Sequence, residues 1–307
     1  MKAKGWSIPK TSARVLELLA PLDWKSGARV ADVGAGRGAF SMLLGEELRT
    51  KHGLEPQQHL CACDLIPSSF EYDGVDCART LPDGRLPFDD ALFDATVSIE
   101  VIEHVEDSFA FMRELARITK PGGMVIVTTP NVLNLSSRLR SFATGFPSLF
   151  DPLPIKNGDP RLCSGHIHPI APYFLAFAAL RAGLVEPELH SDRTKSSAAA
   201  LAVLCSPALF VGGALQQARL ARKQPTLLAE NRELLAAQRS WRMLTGRTAI
   251  LSARKPARVP WKQQSPPGMP AIWSRSRNAP PACAISSALS ARSCAAACSM
   301  SVATCAI

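Results

Sequence analysis

The stretch "ADVGAGRGAF", residues 31–40, places three glycines in five positions directly after an apolar run. A strand that ends in such a loop and feeds a helix brings its backbone close to a ligand, because glycine tolerates the left-handed backbone that a tight turn needs. Three ligands suit it: the pyrophosphate of a dinucleotide, the phosphates of a nucleoside triphosphate, or a molecule without phosphate. The triphosphate needs G-x4-G-K-[ST], and no Lys-Ser or Lys-Thr pair follows these glycines. Gly34, Gly36 and Ala39 do satisfy the loose dinucleotide pattern G-x-G-x-x-[GA]. Asp32 weighs against it, since a carboxylate at the rim repels a pyrophosphate and suits a cationic ligand instead.

The surrounding pattern alternates strands and helices. Thr11–Ala20 reads as a helix with Val15, Leu16, Leu18 and Leu19 on its apolar face, "ARVADVG" as a buried strand, and "GRGAFSMLLGEELRTKHG" as a helix. "HLCACDL" is a second strand ending in Asp64, Tyr72–Cys77 a weaker third, and "FDATVSIE" a fourth. "DSFAFMRELARIT" is a helix with Asp107 at its start, "KPGG" its terminating turn, and "MVIVTTP" a fifth strand. This order predicts an α/β chain with a mainly parallel, doubly wound sheet. "APYFLAFAALRAG" returns as a helix capped by Gly183, and "LVEPELH" and "RTAILSA" are two late strands.

Between these elements lie a Pro-, Gly- and Ser-rich lid at 131–172 and a helical insert at 195–246. Residues 196–215 carry no charge and precede Arg219, Arg222 and Lys223. The reading favoured here is a packed insert, with peripheral membrane contact through 196–223 as the alternative. Residues 257–307 are Ala-, Ser-, Pro- and Cys-rich without Asp or Glu, and read as disordered or as an out-of-frame end.

That tail supplies five of the nine net positive charges, so the body shows no basic stripe for nucleic acid. The nine cysteines lack paired zinc spacing, and "MKAKGWSIPKTSARV" lacks an apolar signal core. A cytoplasmic chain with reduced thiols is the expectation.

Thr11–Pro256 resembles the class I S-adenosylmethionine-dependent methyltransferases, and most nearly the branch of ubiquinone-biosynthesis O-methyltransferases. The resemblance rests on "VADVGAGRGAF", "CACDL", "LPFDDALFDATVSIEVIEHVED", "ITKPGGMVIVTTPN", "GHIHPIAPYFLAFAALRAGL" and "LTGRTAILSARKP" in that order. It implies a Rossmann-like, seven-stranded sheet with a closing antiparallel strand, residues 1–256 forming one domain, and S-adenosylmethionine as cofactor. It further implies that Gly34, Ala35, Gly36 and Gly38 lie against the cofactor, Asp32 at its methionine end and Asp64 at its ribose. Leu65, Asp76, Cys77 and Glu100 complete the implied set, with Asp76 nearest the adenine.

Methyl transfer to a hydroxyl needs positioning and a base, and His104, accompanied by Glu103, suits that role. His166 and His168 are candidates for the substrate side; two residues apart on extended chain, they point to opposite sides. A metal would need a third ligand that the sequence does not name, so none is expected. The Asn/Asp-Pro-Pro-aromatic element of methyltransferases acting on exocyclic or amide nitrogens is absent after "SIEVIEH". Methyl transfer to an oxygen or carbon of a small, lipophilic or glycan-linked acceptor is therefore expected, with a membrane-surface methyltransferase of a lipid-linked substrate and a non-catalytic binding protein as the rival readings.

Overall fold

Strand β1 (Val30–Val33) is buried at every position, with Ala31 and Val33 in the core on one face of the sheet and Val30 in the core on the other. Burial on both faces is why a central parallel strand reads as a near-continuous apolar run. The computed structural model describes residues 9–153, 156 and 165–257. Helix α1 (Pro9–Leu19) precedes β1 and buries Val15 and Leu19. After β1 come α2 (Ala39–Glu47), α3 (Pro56–His59), β2 (Leu60–Asp64), β3 (Cys77–Arg79) and β4 (Phe93–Ile99). Helix α4 (Ser108–Ile118) begins at Asp107, whose Oδ1 accepts from Ala110 N at 2.8 Å, and leads into β5 (Thr119–Pro130). The remaining elements are α5 (Leu135–Thr144), α6 (Pro172–Arg181), β6 (Val185–Ser191), α7 (Ser196–Leu204), α8 (Ser206–Lys223), α9 (Pro225–Gln238), α10 (Trp241–Thr245) and β7 (Thr248–Arg254).

The strands form one seven-stranded sheet in the order β3-β2-β1-β4-β5-β7-β6. The first five are parallel, and β7 closes the sheet antiparallel to β5. Val15, Phe40 and Leu44 of α1 and α2 pack on one face, while Met112, Leu115, Leu175 and Ala179 of α4 and α6 pack on the other. Strand order reverses between β1 and β4, since the chain first moves outward to β2 and β3 and then returns. At such a switch point the loops after the two strands diverge and leave a crevice at their C-terminal ends. That crevice holds the candidate site.

Several sequence expectations shift. The third strand is Cys77–Arg79 rather than Tyr72–Cys77, because it pairs with β2 in the register Ala62↔Cys77 to Asp64↔Arg79. "KPGG" is not a turn between α4 and β5 but a bulge within β5. Thr119 pairs with Phe93 and Met124 with Ala95, so the extra residues loop out around Gly122 at φ 83°. The first part of the 131–172 lid is an anchored helix. Asn134 caps α5 by accepting from Ser137 N at 2.9 Å, and Asn131 Nδ2 donates to Met243 O and Gly246 O. Residues 154–155 and 157–164 of the lid lie outside the described residues, as does the tail beyond Ala257.

The insert is helical, yet it is not the packed element expected. In α7 and α8 only Ala198, Ala202 and Gly213 are buried, whereas Leu204 and Phe210 are 76% and 79% exposed. The uncharged run breaks between α7 and α8 with a bend of 70°. Among the described residues no single helix is long and apolar enough to cross a membrane.

Candidate active site

The glycine loop leaves β1 with Gly34 and Gly36 at φ 74° and 54°. Gly34 N donates to Cys63 O at 2.8 Å, which ties the loop to the neighbouring strand. A Cβ at Gly34 would sit 2.4 Å from Val101 Cγ2, so only glycine fits there. At Gly36 a Cβ would meet no atom within 4 Å, and the backbone there is open to an incoming molecule. Asp64, at the end of β2, reaches across: its Oδ2 accepts from Gly36 N and its Oδ1 from Ile66 N, both at 2.8 Å.

These residues line one side of a cavity of about 570 Å³ at the β1/β4 switch point. Of the expected residues, Asp32, Gly34, Ala35, Gly36, Asp64, Leu65, Glu100, His104 and His166 line it. Gly38 does not; it sits at the start of α2 against Phe70. Asp76, just before β3, and Cys77, its first residue, are not among the residues lining the cavity, whereas Thr80, just after the strand, is. His168 is also outside the lining, while its neighbour two residues back is inside. Several lining residues had no sequence signal strong enough to name them, Val101 and Arg247 among them. Val101 follows β4 directly, and Arg247 arrives from the far side of the sheet because β7 runs antiparallel to β5 and so begins beside its C-terminal end.

Electrostatics divide the cavity. Asp32 is 2% exposed, and its Oδ2 accepts from Ser41 Oγ at 2.6 Å. Burial pushes its carboxyl up to about 6; the Ser41 hydroxyl offsets part of that, and nearby Asp64 adds to it. Glu100, held at φ 56°, accepts a hydrogen bond from Thr128 Oγ1 at 3.4 Å, and burial raises it to about 7 against the pull of Arg247. Burial, and then Glu100, push Glu103 well above the usual carboxylate range.

At the other side, His104 Nδ1 lies 3.0 Å from Gly165 O, and His166 Nδ1 2.7 Å from Leu149 O. A carbonyl can only accept, so the neutral form of each ring has its proton on Nδ1 and its lone pair on Nε2. Burial lowers the His166 pKa and favours its neutral form.

Asp32 makes the fold pH-sensitive. Between about pH 4 and 6 the native state keeps a proton that the unfolded chain has released, so this contribution is full below pH 4 and disappears as pH rises through 6. Thermal unfolding at constant ionic strength should record a decline over that window of up to about 3 kcal/mol. Asp32→Asn, which cannot titrate, should remove its share of the decline and leave the share that the raised Glu100 and Glu103 carry; an unchanged slope in the variant would place the proton elsewhere.

Comparison with known proteins bears on this cavity. Residues 31–127 match the family described as a methyltransferase domain. The ubiquinone biosynthesis O-methyltransferase of Xylella fastidiosa is 32% identical over 144 residues, covering 41% of this chain and 55% of the relative. The 2-methyl-6-phytyl-1,4-hydroquinone methyltransferase of Synechocystis is 35% identical over 112 residues, covering 34% and 33%. The chain thus spans about a third to a half of the length of these curated relatives. A solved SAM-dependent methyltransferase from Archaeoglobus fulgidus aligns with 80% of this chain and 93% of its own, at 16% identity and a TM-score of 0.46. The matched residues include β1, the glycine loop, β2, β4 and most of β5, the elements that build the cavity, and over them the chain is similar to S-adenosylmethionine-dependent methyltransferase domains.

Proposed function

We propose that this chain transfers a methyl group from S-adenosylmethionine to an oxygen or an activated carbon of a small, largely apolar acceptor. One observation carries the reading: a single cavity joins the glycine loop and Asp64 on one side to the Nε2-free His104 and His166 on the other. The residues fit the cofactor. Gly36 is open to close approach, Asp64 presents a carboxylate where a ribose diol would hydrogen-bond, and Asp32 and Glu100 supply negative charge suited to an ammonium and a sulfonium.

When bound, the cofactor supplies an electrophilic methyl group. The protein's part is to hold the acceptor in line and to manage its proton. His104 Nε2, with its tautomer fixed through Gly165, can take the proton of an acceptor hydroxyl. Leu86, Ile99, Val101, Phe111 and Leu149 wall the cavity and keep water from competing. Quinol-like rings suit these walls, and the two curated relatives carry such rings in their names.

The test is transfer of labelled methyl groups from S-adenosylmethionine to a panel of phenols, catechols and hydroquinones. Label in a methoxy or ring-methyl product is expected for at least one ring type. Cofactor binding without label in any acceptor would make this a binding protein on a methyltransferase fold.

A further inference from the structure

Arg247 lines the cavity and takes no part in handling the acceptor's proton. It stands directly before β7, and its backbone is fixed from both sides. Arg247 N donates to Arg193 O at 3.1 Å, and Asn131 N donates to Arg247 O at 2.9 Å. The residue is thereby planted between the chain leaving β5 and the chain leaving β6, and its side chain reaches the cavity wall.

The protein does not meet its charge. Among the described residues the guanidinium forms no ion pair and no hydrogen bond, and Nη1 is buried without a partner. A guanidinium has five N–H donors, and leaving them unpaired away from water is costly. Two carboxylates lie close enough to attract it, but both are engaged elsewhere. Asp192 Oδ1 accepts from Arg193 N at 2.8 Å and from Thr248 N at 3.3 Å, and its Oδ2 accepts from Thr11 Oγ1 at 2.9 Å. Glu100 accepts from Thr128 Oγ1, and burial raises it to about 7, so near neutral pH it is only partly ionised. Arg193 adds a second positive charge nearby rather than relief.

The surroundings say what would supply the missing partner. Leu86, Phe111 and Leu149 make the cavity apolar, and Arg247 sets one cation into that wall. A planar guanidinium fork in such a place matches a carboxylate, which it can hold through two parallel hydrogen bonds. A few fixed polar groups in an apolar pocket are also what gives a small-molecule site its specificity.

We propose that Arg247 binds a carboxylate carried by the methyl acceptor, which narrows the acceptor class to apolar molecules bearing both a hydroxyl and a carboxylate. Strand order favours the acceptor over the cofactor's own carboxylate as the source. The glycine loop and Asp64 follow β1 and β2, whereas Arg247 enters at β7, with β4 and β5 between. His104 lines the same cavity, so an acid anchored at Arg247 can extend its hydroxyl toward that imidazole. The inference deepens the methyl-transfer reading and rests on it for the fate of the bound acid; the carboxylate site itself does not.

The experiment uses the full chain and calorimetric titration. The probes are para-hydroxycinnamate and dihydroxycinnamate, each paired with its neutral methyl ester, and, separately, S-adenosylmethionine and its decarboxylated analogue. At least one acid should bind about tenfold or more tightly than its ester, because the ester leaves the guanidinium unpaired. Arg247→Gln should abolish that preference and leave affinity for S-adenosylmethionine unchanged. Arg247→Lys should restore part of the preference, since the charge returns without the fork.

Equal affinity for acids and esters, no binding of either acid, or a preference that survives Arg247→Gln would each overturn the assignment. So would a loss in Arg247→Gln of affinity for S-adenosylmethionine but not for its decarboxylated analogue, which would give Arg247 to the cofactor. Cofactor binding without acid preference removes only the carboxylate site. Acid preference without cofactor binding removes the methyl-transfer reading and leaves the carboxylate site standing.

Discussion

Asp64→Ala is expected to weaken S-adenosylmethionine binding by about 100-fold or more, the largest single effect at this site. The carboxylate acts twice. Its Oδ2 holds Gly36 N–H at 2.8 Å and so shapes the loop, while the group as a whole faces the cavity. Removing it deletes a charged acceptor for the ribose hydroxyls, where two charge-assisted bonds contribute about 1.5–3 kcal/mol each. It also frees the Gly36 backbone, whose left-handed conformation then has to be ordered by the ligand itself. Asp64→Asn separates the two effects. Its amide oxygen can still accept from Gly36, but its amide nitrogen then faces Ile66 N–H, so the remaining loss measures the missing charge together with that one broken contact. Calorimetric titration checks both variants. A change of less than about fivefold for Asp64→Ala would move the ribose away from β2 and require a different orientation of the cofactor.

Gly34→Ala should lower the stability of the fold by about 3 kcal/mol, whereas Gly36→Ala should lower it by about 1 kcal/mol. Both positions have positive φ, so both substitutions carry the strain of a left-handed alanine, about 1 kcal/mol. The difference lies in what surrounds them. At Gly34 the new methyl would stand 2.4 Å from Val101 Cγ2 and 3.3 Å from Val101 Cβ. The loop cannot retreat without breaking Gly34 N–H to Cys63 O, and a valine has no flexible end to swing aside. At Gly36 the methyl enters open space at the cavity wall, so the fold survives and ligand affinity falls instead. Urea unfolding of the two variants, paired with cofactor titration, should give opposite profiles. Equal losses of stability would mean that Val101 yields and that the close approach of β1 and β4 loops is softer than its geometry.

The glycine loop and Asp64 were readable because their signals are local. A buried parallel strand is apolar throughout, and a loop with positive φ needs glycine wherever the strand stands in the sheet. The acceptor side was readable only in fragments. His104 and His166 each stood out as a histidine in a polar setting, but His104 meets Gly165 across 61 residues of sequence. Glu103 reads as one of several acidic residues near the end of β4, and its burial follows from the segment beginning at Gly165 folding over it. The exposed Phe210 and Leu204 misled for the converse reason: uncharged composition suggested packing, and the 70° bend between α7 and α8 leaves no mark in composition.

Periodicity and glycine placement were thus sufficient for the α/β frame, the parallel strands and the glycine loop that lines the cavity, since each depends on backbone geometry within a few residues. Which side chains share the cavity depended on strand order. Reversal at β1/β4 and the antiparallel return of β7 bring Asp64, His104, His166 and Arg247 to the same cavity, and those long-range pairings are set by packing across the whole sheet.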